Sequence, residues 1–339
     1  MQTEKVTSLQ VAERAGVSQS AVSRVFTPGA SASPKTVDKV RKAAAELGYR
    51  PNMMARAMIT GKSRIIGLVV AYLDNQFYPL ALERLSNALQ AKGYHILVFT
   101  ASNAHDRIDG VIADLLDYQV DGIITASVGM NSDLTDRCEA AGIPVVMFNR
   151  GQAGASVGSV TSANIAGGRK VAEFLLSCGH TRIAHISGWV GSSTGHDRQQ
   201  GFIDALAAAG TEPCAVIDGM YDRDTAAQAT RDLMAGPKPD AIFVGNDHMA
   251  FAVVDTLRHE LGLRVPQDVA VVGYDDVPLA AWPAYQLTTV RQPLNRMVDA
   301  SIDMLLSQIS EGEIAPSRIE IDGPLIQRGT TLNPKGPAP

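Results

Sequence analysis

The sequence has few cysteines, few aromatic residues and no long apolar run. The cysteine content and the lack of an apolar run argue against a secreted or membrane-spanning protein. Cys138, Cys178 and Cys214 are scattered, odd in number and form no CxxC pair, which indicates a reducing cytoplasm and buried apolar thiols. No apolar stretch approaches the roughly 18 to 20 residues that a transmembrane helix needs, and residues 1–16 lack the apolar core of a signal peptide. These absences predict a cytoplasmic protein without a membrane segment.

Motifs of cofactor-dependent and metal-dependent enzymes are also missing. No GxGxxG follows a predicted strand, the seven histidines form no HExxH or metal cluster, and Gly61-Lys-Ser63 lacks the first glycine of a phosphate loop. We therefore expect no cofactor and no metal. Gly191-Ser-Ser-Thr-Gly195 fits the letters of a nucleophile elbow with Ser193 as nucleophile, but the following helix is expected to begin only near Arg198, which disfavours a serine hydrolase.

Length and charge indicate at least two domains with different partners. A chain of 339 residues that is 45% hydrophobic is long enough to bury two substantial cores. Residues 1–64 contain 11 Lys and Arg against 4 Asp and Glu, a net charge of +7, whereas the remainder contains 19 against 31, a net charge of −12. Attraction to nucleic-acid phosphates is therefore predicted only at the amino-terminal end. Judged by charge alone, a solvated lysine-rich helix face is an equally good explanation of the positive charge.

Three short helices are predicted before residue 50. Ser8 is the expected N-cap of the first helix and Ser18 that of the second, and Gly16 lies in the turn between them. The pair Ser33-Pro34 begins the third helix, which Gly48 ends. Two helices joined by a glycine-containing turn are typical of a helix-turn-helix DNA-binding unit.

After a short basic segment, apolar runs alternate with amphipathic helical stretches. Runs that are apolar throughout are expected of strands whose sheet is covered by helices on both faces. The pattern predicts a parallel, doubly wound α/β architecture in two lobes, the first ending near Ser159 and the second filling residues 165–285. The predicted strands are Ile65–Tyr72, Ile96–Thr100, Gly122–Ala126, Val145–Phe148, Ile183–Ile186, Ala215–Ile217, Ala241–Val244 and Val269–Gly273.

Several stretches carry a resemblance to a known family. The run Val11-Ala-Glu-Arg-Ala-Gly-Val-Ser-Gln-Ser-Ala-Val-Ser-Arg-Val25 is continued by Ser33-Pro-Lys-Thr-Val37 and by Ala45-Glu-Leu-Gly-Tyr-Arg-Pro-Asn52. With later matches such as Gly273-Tyr-Asp-Asp276, the chain resembles the lactose-repressor (LacI/GalR-type) family up to about residue 330. The resemblance implies a helix-turn-helix domain over residues 1–50, a hinge helix and linker over 51–64, a two-lobed periplasmic-binding-protein-like effector and dimerisation domain over 65–332, and a flexible tail over 333–339.

The outward face of the second helix carries side chains suited to reading DNA. Val22 and Val25 are expected to turn inward, which leaves glutamine to pair with adenine and arginine with guanine in the major groove. By resemblance, Ala55-Arg-Ala-Met58 is a hinge that orders on operator binding and inserts Met58, where the family usually has leucine, into the minor groove. An unstructured linker is the alternative. The predicted DNA-binding residues are Ser18, Gln19, Ser20, Ser23, Arg24, Asn52, Ala55 and Met58.

Polar and aromatic residues near the expected strand ends are implied by the resemblance to contact a small effector. Aromatic faces stack on sugar-like rings, while Asn, Asp and Arg pair with hydroxyls, so the effector is expected to be a sugar or a sugar acid. Arg150 and Arg198 would favour the acid. Asp247 and Asp276 either touch the ligand or cap helices, and Trp282 is expected to be a packing residue. The implied contacts are Phe77, Tyr78, Asn149, Thr194, Arg198, Asn246 and Asp275.

The implied function is that of an effector-controlled repressor, not an enzyme. One three-helix unit contacts too few base pairs for a genomic address, so a homodimer on palindromic double-stranded operator DNA is predicted. The Pro- and Gly-rich end of the chain cannot form a coiled coil, which favours a dimer over a tetramer. A periplasmic sugar receptor without a DNA role is the main alternative, and the basic helical arm in place of a signal peptide argues against it. Induction is predicted, although the family uses effectors of either sign.

Overall fold

The computed structural model describes residues 6–27, 30–51, 61–100, 105–126, 132–151, 157–312 and 317–334. The chain divides into two compact units, Met1–Ser63 and Arg64–Pro339, which are considered separately below. No helix among the described residues is long and apolar enough to cross a membrane.

The amino-terminal unit contains the three predicted helices. They are α1 (Ser8–Ala15), α2 (Gln19–Phe26) and α3 (Pro34–Leu47). The three helices share one core of small and β-branched side chains, because alanine and valine let short helices approach closely. The fully buried members of this core are Val11, Ala12, Val22, Val40, Ala43 and Ala44.

One predicted helix cap is wrong by one residue. Thr7, not Ser8, is the N-cap of α1, because Thr7 has the extended backbone that a cap requires and its hydroxyl accepts the Gln10 amide at 3.4 Å. The Gln10 side chain accepts the Thr7 amide in return at 2.8 Å, which completes a capping box. Ser18 and Ser33 cap α2 and α3 as predicted.

The larger unit contains two six-stranded sheets, which define two lobes. The first sheet has the order β11-β5-β4-β3-β1-β2 and is parallel throughout. Helices intervene between its strands, so this lobe is the doubly wound arrangement that the apolar runs predict. Its elements are β1 (Ile65–Val70), α4 (Phe77–Ala91), β2 (His95–Thr100), α5 (His105–Asp117), β3 (Gly122–Ala126), α6 (Ser132–Ala140), β4 (Val145–Phe148), β5 (Gly158–Ser162), α11 (Leu294–Glu311) and β11 (Arg318–Ile321).

The second sheet has the order β12-β10-β9-β8-β6-β7, and only its edge strand β12 runs antiparallel to its neighbour. A π-helical turn over Thr256–Glu260 and a 3-10 turn over Pro278–Ala281 interrupt its connections. The elements of this second lobe are α7 (Asn164–Ser177), β6 (Ile183–Ser187), α8 (Ser193–Ala208), β7 (Ala215–Asp218), α9 (Arg223–Ala235), β8 (Ala241–Val244), α10 (Asp247–Asp255), β9 (Ala270–Asp275), β10 (Thr288–Arg291) and β12 (Leu325–Ile326).

The chain passes between the lobes three times, which the strand pattern does not predict. It leaves the first lobe after β5, returns after β10 to add α11 and β11, and crosses again to add β12. The four strands missing from the prediction, β5, β10, β11 and β12, are short or partly polar, so they lack the continuous apolar signature of a buried parallel strand. The first lobe therefore does not end at β5.

Helices α7 and α8 pack with unusually close backbones. A Cβ atom on Gly168 would lie 2.0 Å from the Arg198 carbonyl oxygen, and one on Gly201 would lie 2.0 Å from that of Ile165. Only glycine permits this approach, because every other residue carries the clashing atom. The contact brings α8, with Arg198 on it, against α7 below the cleft between the lobes.

Candidate DNA-reading and effector sites

The second helix of the amino-terminal unit presents its predicted DNA-reading residues to solvent. Ser18, Gln19, Ser20, Ser23 and Arg24 are all exposed, whereas Val22 is buried on the opposite face and Val25 is half-buried. This is the division of faces that the helical spacing predicts.

Contacts within the unit hold these side chains locally. The Gln19 amide nitrogen donates to the Ser8 hydroxyl at 2.9 Å, the Ser18 and Ser20 hydroxyls are 2.9 Å apart, and Arg24 Nε donates to the Ser20 carbonyl at 3.4 Å. All of these bonds are exposed, so a base edge or a phosphate can replace them at little cost. The other predicted DNA contacts, Asn52, Ala55 and Met58, lie outside the described residues.

Polar side chains from both lobes of the larger unit surround one cavity at the carboxyl ends of the strands. The cavity has an empty volume of about 370 Å³, part of it open to solvent. Its lining includes six of the seven predicted effector contacts. The lining residues are Tyr72, Asp74, Asn75, Tyr78, Asn149, Arg150, Thr194, Arg198, Tyr221, Asn246 and Asp275.

Phe77 is the predicted contact that does not line this cavity. Its ring is 2% exposed and lies 5.4 Å from the Tyr78 ring and 6.3 Å from the Phe148 ring, centroid to centroid. Neighbouring helix positions point about 100° apart, and here Phe77 turns towards Phe148. Tyr78 faces the cavity, and its hydroxyl accepts the Asn149 amide at 3.1 Å.

Five lining residues were absent from the implied contacts, although one of them, Arg150, was expected to favour an acidic effector: Tyr72, Asp74, Asn75, Arg150 and Tyr221. All except Tyr221 lie within five residues of the end of β1 or β4, and Tyr221 lies three residues beyond β7. Strand ends in parallel sheets converge on ligand sites, so the predicted strand ends were a signal for these residues beyond what the resemblance implied.

Four of the lining residues have left-handed backbone conformations that favour glycine. The φ angles are +58° at Tyr72, +64° at Asn149, +58° at Tyr221 and +133° at Asp275. Non-glycine residues adopt such angles at a cost of about 1 to 3 kcal/mol each, and the cost is typical of sites where side-chain direction matters. The backbone conformations that direct these four side chains are therefore unfavourable in themselves.

Arg198 is the most heavily bonded residue of the cavity. It is 2% exposed, its Nε donates to Asn164 Oδ1 at 2.9 Å, and its Nη1 donates to the Gly245 carbonyl at 2.7 Å. Nη1 also lies 3.7 Å from Asp275 Oδ1, and the guanidinium carbon lies 3.7 Å from the centroid of the Tyr274 ring. Arg198 thus joins α7, β8 and β9 before any ligand is considered.

Two buried carboxyls lie close together, Asp275 in the lining of the cavity and Asp247 outside that lining. Burial raises the pKa of Asp275 above its ordinary value, against the opposing effect of Arg198, and burial together with Asp275 raises the pKa of Asp247. Asp275 accepts the Gln292 amide at 2.7 Å, and Asp247 accepts the Thr289 hydroxyl at 2.6 Å. The two groups retain a proton to higher pH than exposed carboxyls do.

Neither Asp247 nor Asp276 caps a helix. Asn246 is the N-cap of α10, where its side-chain oxygen accepts the Met249 amide at 2.9 Å. Asp276 pairs with two arginines at 2.6 Å, Arg291 and Arg328. Trp282 also departs from its prediction, because its side chain is 59% exposed and does not pack in the core.

Direct contacts join the two lobes around the cavity. The Gly151 amide donates to the Ser193 hydroxyl at 3.1 Å, and His248 Nε2 lies 3.5 Å from Asp74 Oδ2. Burial lowers the pKa of His248, against the effect of Asp74. These weak contacts can break without leaving a deeply buried charge, which suits lobes that move relative to each other.

Ser193 does not occupy a nucleophile elbow, although one premise for rejecting the elbow is wrong. Helix α8 begins at Ser193, not near Arg198. The strand β6 nevertheless ends at Ser187, so five residues separate strand from helix where an elbow requires a sharp turn around the serine. Ser192, the residue before, caps the helix by accepting the Gly195 amide at 3.0 Å.

A helix-turn-helix unit on one chain with a two-lobed domain and a polar cleft defines a ligand-responsive DNA-binding protein. The profile for "Bacterial regulatory proteins, lacI family" matches residues 9–52, and that for "Periplasmic binding protein-like domain" matches residues 172–331. The transcriptional regulator CelR of Thermobifida fusca is 34% identical over 330 residues, which cover 94% of this chain and 96% of CelR. The chain belongs to the lacI family of bacterial regulatory proteins and is a transcriptional regulator, not an enzyme.

Other relatives and solved structures agree over nearly the whole length. The ribose operon repressor of Escherichia coli K12 is 29% identical, covering 96% of this chain and 99% of the repressor. The lac repressor dimer bound to operator and the anti-inducer ONPF matches with a TM-score of 0.87 at 28% identity, covering 97% of this chain and 100% of that chain. The complex of CelR with cellobiose matches with a TM-score of 0.72 at 32% identity, covering 96% and 100%.

Proposed function

We propose that this protein is a homodimeric repressor that binds a palindromic operator and releases it when a sugar or sugar acid occupies the cleft. The observation that carries the proposal is the pairing, in one chain, of an exposed polar helix face with a buried polar cavity. Its target is chromosomal DNA, which places its action in the cytoplasm.

The DNA side of the proposal rests on α2. Gln19 and Arg24 have the chemistry to read adenine and guanine in the major groove, and by resemblance Ser20 reads bases with them. Ser18 and Ser23 can bind phosphates and set the register. We further propose that Asn52, Ala55 and Met58 contact the operator, with Met58 as the minor-groove wedge. The net charge of +7 over residues 1–64 adds an attraction that weakens with salt.

The effector side rests on the cavity. Its lining combines tyrosine rings with asparagine, aspartate and arginine, the set that holds a ring bearing several hydroxyls. The buried Asn149 Oδ1 has no hydrogen-bond partner within the described residues, so it is available to accept from a ligand hydroxyl. CelR, a relative whose structure contains cellobiose, supports an effector of this class.

The coupling between the two sides is reciprocal. An effector that lowers operator affinity by a given factor is bound more weakly by the operator complex by the same factor, typically corresponding to about 1 to 3 kcal/mol. We propose induction, in which closing of the lobes on the effector disfavours the DNA-bound state.

Dimerisation is supported by an apolar groove on the surface of the larger unit. Leu73, Pro79, Leu80 and Pro278 line it together with Gln76 and Glu83, and the exposed Trp282 directly follows the 3-10 turn that begins at Pro278. Exposed apolar surface of this kind is typical of an interface between copies. Sedimentation at micromolar concentration should give a dimer, and a tetramer would contradict that part of the proposal.

A binding experiment tests the proposal as a whole. Operators selected from a randomised duplex library should be palindromic, and fluorescence anisotropy should show them binding at least 1000-fold more tightly than random duplex at moderate salt. A sugar or sugar acid that raises the melting temperature should weaken that binding. Lack of preference for any duplex, with or without these compounds, would overturn the proposal.

A further inference from the structure

Arg150 is a buried cation with no carboxylate partner among the residues that the structure describes. It follows directly after β4, its residue is 6% exposed, and its Nε is buried without a hydrogen-bond partner within the described residues. None of the ion pairs formed by the described residues involves it. Burying an unpaired guanidinium costs several kcal/mol, so the position calls for an anion from outside the chain.

The other arginine of the cavity differs in this respect. Arg198 has Asp275 within 3.7 Å and donates to Asn164 and to the Gly245 carbonyl, so its charge and its donors are largely compensated by the protein. Asp74, the other carboxylate of the lining, lies beside His248 and is mostly exposed. Among the described residues, Arg150 therefore provides the one buried charge of the lining that lacks an ion-pair partner.

Two aromatic rings lie close to the Arg150 guanidinium without neutralising its charge. The guanidinium carbon of Arg150 lies 5.9 Å from the centroid of the Tyr72 ring and 6.0 Å from that of Trp189. Such contacts are worth about 0.5 to 2 kcal/mol and contribute no negative charge. The neighbouring Asn149 and Gly151 contact Tyr78 and Ser193, which holds the Arg150 segment at the boundary between the lobes.

We infer that the effector is a sugar acid whose single carboxylate pairs with Arg150, while its hydroxyls are bound by Asn149, Asn246 and Asp275. The inference rests on the proposed function, because it names the chemical class of effector for the same cavity. Arginine holds a carboxylate through two parallel N–H bonds, and one uncompensated positive charge matches one negative charge. A phosphate dianion would leave excess negative charge beside Asp74 and Asp275.

The test compares neutral sugars with their acids on the full-length protein. Isothermal titration calorimetry with galactose and galacturonate, glucose and glucuronate, and glucose 6-phosphate should show at least one acid binding tenfold or more tightly than its neutral partner and than the phosphate. Arg150→Gln should remove that preference. It should not lower the melting temperature of the unliganded protein, because it removes a buried charge without orphaning a carboxylate.

A control variant and the contrary outcomes complete the design. Arg64→Gln removes an arginine that also lies over an aromatic ring, 4.9 Å from the centroid of Tyr94, but is outside the cavity, so the acid preference should persist. Neutral sugars that bind as tightly as their acids, tighter binding of the phosphate, or no binding by either acid would each overturn the inference. If operator binding persists in those cases, the proposed DNA-binding function is unaffected. Acid binding without operator binding would overturn only the proposed function.

Discussion

The reading face of α2 and the effector cavity are both polar, yet they are built in opposite ways. Gln19, Ser20 and Arg24 are exposed, and their contacts stay within the same small unit. Arg198 and Asp275 are almost fully buried, and their partners come from several elements of two lobes. The first surface is complete in one helix, whereas the second exists only when the lobes are assembled.

Because of this difference, substitutions in the DNA-reading face of α2 and in the effector cavity should have different effects on the stability of the protein. An exposed side chain returns to water when its partner is lost, so its removal costs little folding free energy. A buried charge cannot do so, and its removal leaves the other partner desolvated. Substitutions on α2 should therefore affect DNA binding alone, whereas substitution of a cavity residue with buried charged partners, such as Arg198, should affect both effector binding and stability.

The largest expected effect comes from Arg198→Met. The change leaves Asp275 buried beside Asp247 without its cation, so the free energy of unfolding should fall by about 3 to 5 kcal/mol in urea denaturation. Gln200→Met is the matched control, because Gln200 lies on the same helix but is exposed, and its cost should stay within about 0.5 kcal/mol. Equal losses for the two variants would contradict the contrast between buried and exposed sites.

His185 should give a pH-dependent loss of stability. Burial between Phe243 and Phe202 lowers its pKa to about 4, from an ordinary value of 6.5. Because the unfolded chain binds the proton more readily, the contribution is complete above pH 6.5 and declines as the pH falls towards 4, by up to about 3 kcal/mol. His185→Asn retains a donor for the Phe243 carbonyl but does not titrate, so its stability should fall less steeply over this range. Parallel pH profiles of variant and parent would disprove this assignment.

Arg24→Ala and Gln19→Ala test the exposed site. Each should weaken binding to the selected operator by about 1 to 3 kcal/mol and relax the preference at one base pair, with the melting temperature nearly unchanged. Arg41→Ala, an exposed position on α3, removes the same charge and should weaken specific and random duplexes alike. A variant that loses stability along with DNA binding would show that α2 is not built as the exposed site described above.

The smallest expected effect distinguishes two adjacent hydroxyls. Thr7→Ala removes the cap of α1 and should destabilise the amino-terminal unit by about 1 kcal/mol, measured by amide hydrogen exchange in α1. Ser8→Ala removes only an exposed bond to Gln19 and should cost a few tenths of that. The reverse order would favour the cap predicted from sequence.

Much of the local structure was predictable because its signals are local. Strands β3, β4 and β8 coincide with their predicted bounds, since each is a buried apolar run between helices. The Gly16 and Gly48 helix ends and the Ser18 and Ser33 caps follow from single residues with distinctive backbone preferences. Short strands such as β12 were missed because two residues do not form a pattern.

The cavity was predictable in part, and the errors have physical causes. Six of its lining residues were expected from strand ends and family resemblance, whereas Phe77 was expected there and packs in the core. Whether Phe77 or Tyr78 faces the cleft depends on the rotation of α4 about its axis, which packing against Phe148 determines. Tyr221 follows a predicted strand end, but only the tertiary structure shows its hydroxyl 2.9 Å from that of Thr194 on α8.

The sequence by itself determined the helix-turn-helix unit, the parallel α/β character of the larger unit and the family, because caps, periodicity and contiguous motifs act over a few residues. Only the tertiary structure decided that the chain crosses three times between lobes and that α7 and α8 touch at glycine. It alone revealed that Arg198 has a carboxylate partner and that Arg150 has none within the described part of the chain. The physical reason is that burial and charge compensation depend on which distant residues meet, and no local pattern specifies those meetings.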